Sequence, residues 1–293
     1  MRLLFSLIIC LFSAFAIAAE TAATISEESA VDQRIAQEKS TQALRFSITP
    51  HKPTYLLPIT FNNNIQSYHV YNNDIAQDKQ QQFEAKFQFS FKMPILTDIA
   101  EIPLSVYFGY TQVSFWQAYN SGNSSPFRET NYEPEVFAVW YESKELAYGW
   151  NFKLATLNLT HQSNGQSEPL SRSWNRLEGN LVFEKGHFTL AINPWYRFSE
   201  SASDDDNPDL LDYYGHGKIR ATYKTDNNVF TITSCNNLES GLKKGALEFN
   251  WSFPIHEKVQ GYFQLFTGYG NSLIEYNEYT NTLGLGISVT NWL

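Results

Sequence analysis

An all-β chain closed into a twelve-stranded antiparallel transmembrane barrel is the fold class that three observations predict. The N-terminus reads as an export signal: Met1-Arg2 is a basic start, Leu3 to Phe15 is largely apolar, and Ala16-Ile17-Ala18 is a small-x-small cleavage site. No later apolar run reaches the roughly 18 residues that a membrane helix needs, yet the chain carries 22 Phe, 17 Tyr and 7 Trp. From Tyr55 onward it alternates strand and break, with breaks falling long and short in turn.

The signal occupies residues 1–18, and cleavage there leaves Cys235 without a partner for an intramolecular disulfide. Residues 19–50 form an N-terminal periplasmic segment; 20–42 are polar and acidic, with helix formers from Glu27 to Lys39 and no strand alternation. The barrel domain takes 51–293. Its strands are expected at 54–62, 83–94, 103–118, 131–143, 146–163, 173–184, 187–199, 213–225, 228–236, 244–254, 257–269 and 281–292. Twelve is even, as in single-chain bacterial barrels. Leu177, Gly179, Leu181 and Phe183 share one face of a strand whose other face holds Arg176, Glu178, Asn180 and Glu184. That alternation alone also suits a soluble sandwich; the export signal and alternating turn lengths favour the barrel.

Short breaks at 184–186, 226–228 and 254–256 are expected as periplasmic turns, and longer ones near 63–82, 119–130, 164–172, 200–212 and 270–280 as outer loops. The acidic run Asp204 to Asp209 lacks the glycine and terminal glutamate of an EF-hand loop and reads as solvated. A net charge of −9 argues against nucleic acid as a partner.

His161 and Ser163 lie two positions apart and share a strand face, and the turn beginning at Asn164-Gly165 brings Asn175 back beside them. That face also carries Ala155, Leu157 and Leu159, so all three point outward at the membrane boundary. Polar groups facing lipid cost on the order of 2 kcal/mol unless partnered. An outward nucleophile, base and orienting amide make sense for a lipid substrate. Gln112 shares a face with Leu104, Val106, Phe108 and Tyr110, so its amide should point into hydrocarbon and want a partner, which a two-fold dimer would supply.

The blocks Tyr110-Thr111-Gln112, Ser124 through Pro134, His161-x-Ser163-Asn164-Gly165, Ser171 through Arg176 and Gly268-Tyr269-Gly270-x-Ser272-Leu273-Ile274 resemble the outer membrane phospholipase A family. The resemblance implies a twelve-stranded barrel in the bacterial outer membrane, with its active site facing the outer leaflet. It implies calcium-dependent hydrolysis of acyl esters of membrane phospholipids, at the first or second glycerol position, and of lysophospholipids. Ser163 is then the nucleophile, His161 the general base and Asn175 the residue fixing the imidazole. The Ser163 backbone amide and calcium-bound water are expected to stabilise the oxyanion. Ser124 from one subunit and Gln166 and Ser171 from the other are expected to hold Ca2+ in an active homodimer. Gln162 and Gln166 replace an aspartate and an arginine of familiar members, and Leu293 stands where these barrels commonly end in an aromatic. A non-enzymatic pore and a lipopolysaccharide acylhydrolase are the competing functions.

Overall fold

A computed structural model describes residues 29–42, 47–65, 80–99, 102–256 and 259–291. The export signal and the terminal Trp292-Leu293 lie outside the described residues. Helix α1 (Ala30–Gln42) precedes twelve long strands: β1 (Thr54–Asn62), β2 (Phe83–Leu96), β3 (Leu104–Trp116), β4 (Phe127–Glu145), β5 (Asn151–Ser163), β6 (Ser173–Lys185), β7 (Phe188–Arg197), β8 (Gly217–Lys224), β9 (Val229–Asn236), β10 (Gly245–His256), β11 (Val259–Tyr269) and β12 (Tyr279–Thr290). A short helix, α2 (Leu210–Tyr214), interrupts the loop between β7 and β8. Each strand pairs antiparallel with its neighbour in sequence, and β1 pairs with β12, Phe61 opposite Leu283, so the sheet closes. A two-residue stub, Thr49–Pro50, adds to the end of β2.

Closure leaves no sheet edge, which is the condition for strands to stand in hydrocarbon. The faces are inverted relative to a soluble protein. Leu157 and Leu159 on β5 are each 56% exposed, and Leu181, Leu283 and Leu285 lie on the same outer surface, while Glu135, Arg176, Glu178 and Lys86 are buried in the lumen. Period-two alternation produces both sets from the same strands.

The inward charges neutralise one another. Lys52 Nζ lies 2.8 Å from Glu135 and also contacts Glu133; Arg176 reaches Glu133 at 2.8 Å and Glu178 at 3.0 Å. At the outer mouth Arg128 lies 2.8 Å from both Glu84 and Glu275, its side chain fully buried. Glu275 belongs to the 270–278 loop, which is drawn into the mouth: Leu273 N donates to Asn131 Oδ1 (2.9 Å) and Ile274 N to Glu129 Oε1 (3.2 Å). Trp174, Trp195, Leu210, Leu273 and Tyr276 form an apolar cluster there. The opposite end, with the short turns, receives α1. Val31 packs among Tyr107, Phe137, Val139, Leu154, Val182 and Ala191, while Glu38 pairs with Lys92 (2.8 Å) and Asp32 with Lys153 (2.7 Å).

Several boundaries differ from the sequence expectation. β4 begins at Phe127 instead of 131, because a register slip (Phe115 opposite Glu129, Trp116 opposite Phe127) inserts one residue. That bulge turns the consecutive charges of Arg128 and Glu129 into the lumen. β5 begins at Asn151, not 146, since Ala147–Gly149 make a tight turn with Tyr148 at φ 60°. β8 begins at Gly217, not 213, because Leu210–Tyr214 coil into α2 and bury Leu210 in the mouth cluster.

Removing one partner of a buried ion pair leaves the others charged and desolvated, at about 3 kcal/mol or more. Arg128→Ala should therefore lower the urea midpoint of unfolding of the refolded barrel in detergent, whereas Arg220→Ala, a partly exposed side chain lining the lumen cavity, should lower it much less. Equal midpoints for the two variants would remove Arg128 from its role as a mouth clamp.

Candidate active site

β5 and β6 pair so that His161 stands opposite Asn175, Gln162 opposite Trp174 and Ser163 opposite Ser173. His161 Nδ1 lies 2.8 Å from Asn175 Oδ1. A carbonyl oxygen only accepts, so Nδ1 is the donor of this bond, and in the neutral imidazole that leaves Nε2 its lone pair. Ser163, the last residue of β5, is half-buried and lies two positions along the same face. His161 is exposed, in phase with Leu157 and Leu159. The expected outward orientation is thus the one observed. Gln162 points the other way, its Oε1 accepting from Trp174 Nε1 at 2.8 Å.

The loop after Ser163 is organised by a residue that the motif reading left without a role. Asn164 is 2% exposed. Its Oδ1 accepts from Gln166 N (3.3 Å) and Arg172 N (3.0 Å), and its Nδ2 donates to Leu170 O (2.9 Å). Gly165 adopts φ 65°, a left-handed conformation that suits glycine in this turn. Gln166 and Ser171 are thereby carried on one compact loop. The asparagine-glycine pair signalled the turn, but only the folded loop reveals that Asn164 spans it.

The acidic run is only partly the solvated loop expected from sequence: Asp204 and Pro208 are exposed, but the others are engaged. Asp206 accepts a hydrogen bond from Ser171 Oγ, Asp205 pairs with Arg197 at 2.6 Å, and Asp209 accepts from Tyr276 OH. Asn207 is fully buried, its Oδ1 accepting from Ser173 N at 3.2 Å. Arg197, at the end of β7, draws the run onto the site by also donating to Asn207 O at 2.8 Å. Glu200, singled out by no motif, accepts from Asn175 Nδ2 at 2.9 Å.

Ser124 is not on the Gln166–Ser171 loop: it is exposed in the connection between β3 and β4, at φ 57°. Gln112 faces outward as expected, but its amide is not left unpartnered on the single barrel. Tyr110 OH donates to Oε1 (3.0 Å) and Nε2 donates to Ser114 Oγ (3.0 Å), itself an acceptor from Thr130 (3.2 Å). The strand neighbours two positions away supply what a dimer partner was expected to supply. A lumen cavity of about 260 Å³, lined by Lys86, Gln88, Glu133, Arg220 and Glu248, lies inside the wall. Its charged lining is a poor berth for an acyl chain. The His161 face is the apolar one.

A family model described as phospholipase A1 matches residues 31–289. A putative phospholipase A1 of Neisseria meningitidis is 38% identical over 82% of this chain, which spans 64% of that relative's length. Phospholipase A1 of Escherichia coli K12 is 35% identical, over 83% of this chain and 81% of its own. Among solved structures, outer membrane phospholipase A from Escherichia coli superposes with a TM-score of 0.79 at 34% identity, covering 85% of this chain and 94% of the other. The Salmonella typhi outer membrane phospholipase dimer with bound calcium gives a TM-score of 0.79 at 33% identity, covering 87% and 96%. The closed barrel, the outward histidine and the matches along nearly the whole described chain place this protein in the phospholipase A1 family of outer-membrane barrels.

Proposed function

We propose that this chain is a calcium-dependent outer-membrane phospholipase. It hydrolyses acyl esters of phospholipids and lysophospholipids at the first or second glycerol position, from a site facing the outer leaflet. The observation that carries this reading is the 2.8 Å bond from His161 Nδ1 to Asn175 Oδ1 on a leucine-lined outer face. Ser163 Oγ attacks the ester carbonyl as His161 Nε2 takes its proton; the imidazolium then returns the proton to the departing glycerol oxygen. Water repeats the sequence on the acyl-serine, releasing fatty acid. Asn175 holds the tautomer in which Nε2 is free, though a neutral amide stabilises imidazolium less than a carboxylate would. The Ser163 backbone amide is the proposed oxyanion donor.

Gln166, through its backbone carbonyl, and Ser171, through its hydroxyl, are the proposed calcium residues of one subunit, and Ser124 of its partner completes the set. The donors fit a hard cation that prefers oxygen: Ser171 Oγ is already in contact with the Asp206 carboxylate. Held by these residues, a calcium ion would supply positive charge to stabilise the oxyanion. Ser124 belongs to the connection between β3 and β4 and not to the Gln166–Ser171 loop, and a homodimer with Gln112 at its interface is the proposed active form. Tyr110, Gln112, Ser114 and Thr130 form a hydrogen-bonded polar strip on a surface that otherwise meets lipid. An amide with one further N–H to offer is suited to a second copy of the same strip.

Ser163→Ala should abolish ester hydrolysis, by roughly a thousandfold or more, in a barrel that still folds. Asn175→Ala should be milder. Product analysis by mass spectrometry on mixed outer-membrane lipids tests both variants and the substrate class together; retained hydrolysis in folded Ser163→Ala would remove the nucleophile.

Chelation should suppress turnover, and magnesium should restore it poorly because it demands a smaller, near-octahedral shell. Full turnover in excess chelator, after bound metal has been stripped, would overturn the calcium assignment.

Crosslinking between barrels and hydrolysis should rise together as calcium and a non-hydrolysable lipid are added. Undiminished hydrolysis by barrels held singly in separate nanodiscs would defeat the dimer.

A further inference from the structure

Asn175 presents an ambiguity that the catalytic pair cannot resolve by itself. The oxygen and nitrogen ends of a carboxamide are nearly the same size, and a neutral imidazole nitrogen can either donate or accept. In one orientation Oδ1 faces His161 and the imidazole proton stays on Nδ1. In the other, Nδ2 donates to Nδ1, the proton moves to Nε2, and the ring has no lone pair left for Ser163. A group at the far end of the amide must choose.

We infer that Glu200 makes that choice: it is a positioning residue that fixes the direction of the chain Ser163, His161, Asn175. This deepens the reading of Ser163 and His161 as nucleophile and base, and rests on it. An ionised carboxylate can only accept, and Glu200 Oε1 lies 2.9 Å from Asn175 Nδ2. Flipping the amide would set its oxygen against that carboxylate, two acceptors with no proton between them. The unflipped amide satisfies both ends, taking Nδ1–H at one and giving Nδ2–H at the other.

The fold delivers Glu200 to this spot by period two. Tyr196 and Phe198 are exposed on the outer face, Phe198 N donates to Asn175 O at 2.9 Å, and Glu200 follows two residues on. Its side chain is 18% exposed, with Arg197 Nη2 3.9 Å from the second carboxylate oxygen. Arg197 does not neutralise it, because Asp205 holds the same guanidinium more closely, at 2.6 Å. One arginine against two carboxylates leaves negative charge facing Asn175. A Ser-His-Asn set has no acid of its own; here the carboxylate stands one hydrogen bond further out.

The test uses initial rates of the full-length, reconstituted protein on phospholipid in mixed micelles with calcium, comparing wild type with E200A, E200Q, N175A, E200A/N175A and S163A. E200A should lower kcat on the order of tenfold, the scale of a misoriented catalytic group, with KM unchanged. E200Q, whose carbonyl can still accept from Asn175, should retain more activity than E200A. In the N175A background, removing Glu200 should cost nothing further, since the two act through one amide. Wild-type kcat in E200A would overturn the inference, and so would an equal fold-loss with and without Asn175. The S163A arm separates the two readings: an active S163A sinks the nucleophile itself, whereas an inactive S163A beside a fully active E200A sinks Glu200 alone.

Discussion

The pairing of β1 with β12 is the interaction on which the rest of this structure depends. A sheet with two free edges could not stand in hydrocarbon, where each unpaired backbone group costs several kcal/mol. Once the circle closes, every strand acquires a lipid side and a lumen side. The distribution of side chains then follows from solvation: leucines and aromatics outward, charge inward. The placement of a hydrolase on such a wall follows from the same constraint, because lipid is the one substrate already lying against the outer face.

Two economies of charge keep the barrel shut. In the lumen, Lys52, Arg176 and Lys218 are matched to Glu133, Glu135 and Glu178, so that the desolvation of each ion is offset by close opposite charge. At the mouth, Arg128 joins the wall residue Glu84 to the loop residue Glu275 and pulls Leu273 and Tyr276 into contact with Trp174 and Leu210. The same mouth packing seats α2 and the acidic segment before it. The loop that brings Asp206 to Ser171 and Glu200 to Asn175 is therefore anchored on the inside of the barrel while it serves the outside.

Polar groups on the outer face are the informative exceptions. His161 and Asn175 satisfy one another, Asn175 turns its remaining donor to Glu200, and Gln112 is satisfied by Tyr110 and Ser114. Each of these three is hydrogen-bonded, which offsets the cost of a polar group facing lipid. Because Gln112 is satisfied within one barrel, a dimer would have to use the one N–H that its amide has left.

The sequence by itself determined the strand number, the alternation of faces and the common outward face of His161, Ser163 and Asn175. All of these depend on local period-two geometry and on turn residues such as Asn164-Gly165. It placed β1 and β6 within a residue because their flanking breaks are rich in turn formers. It misjudged the start of β4, where Arg128 and Glu129 read as loop, because only a closed lumen gives consecutive charges an interior to face. It gave no hint that α1 seats in the barrel end, since a helix docked by Val31 and a few ion pairs shows no apolar stripe. The tertiary structure alone decided the fate of the acidic run and of Glu200. Their partners, Ser171 and Asn175, lie some 25 to 35 positions away in the chain, and contacts of that range carry no periodic signature.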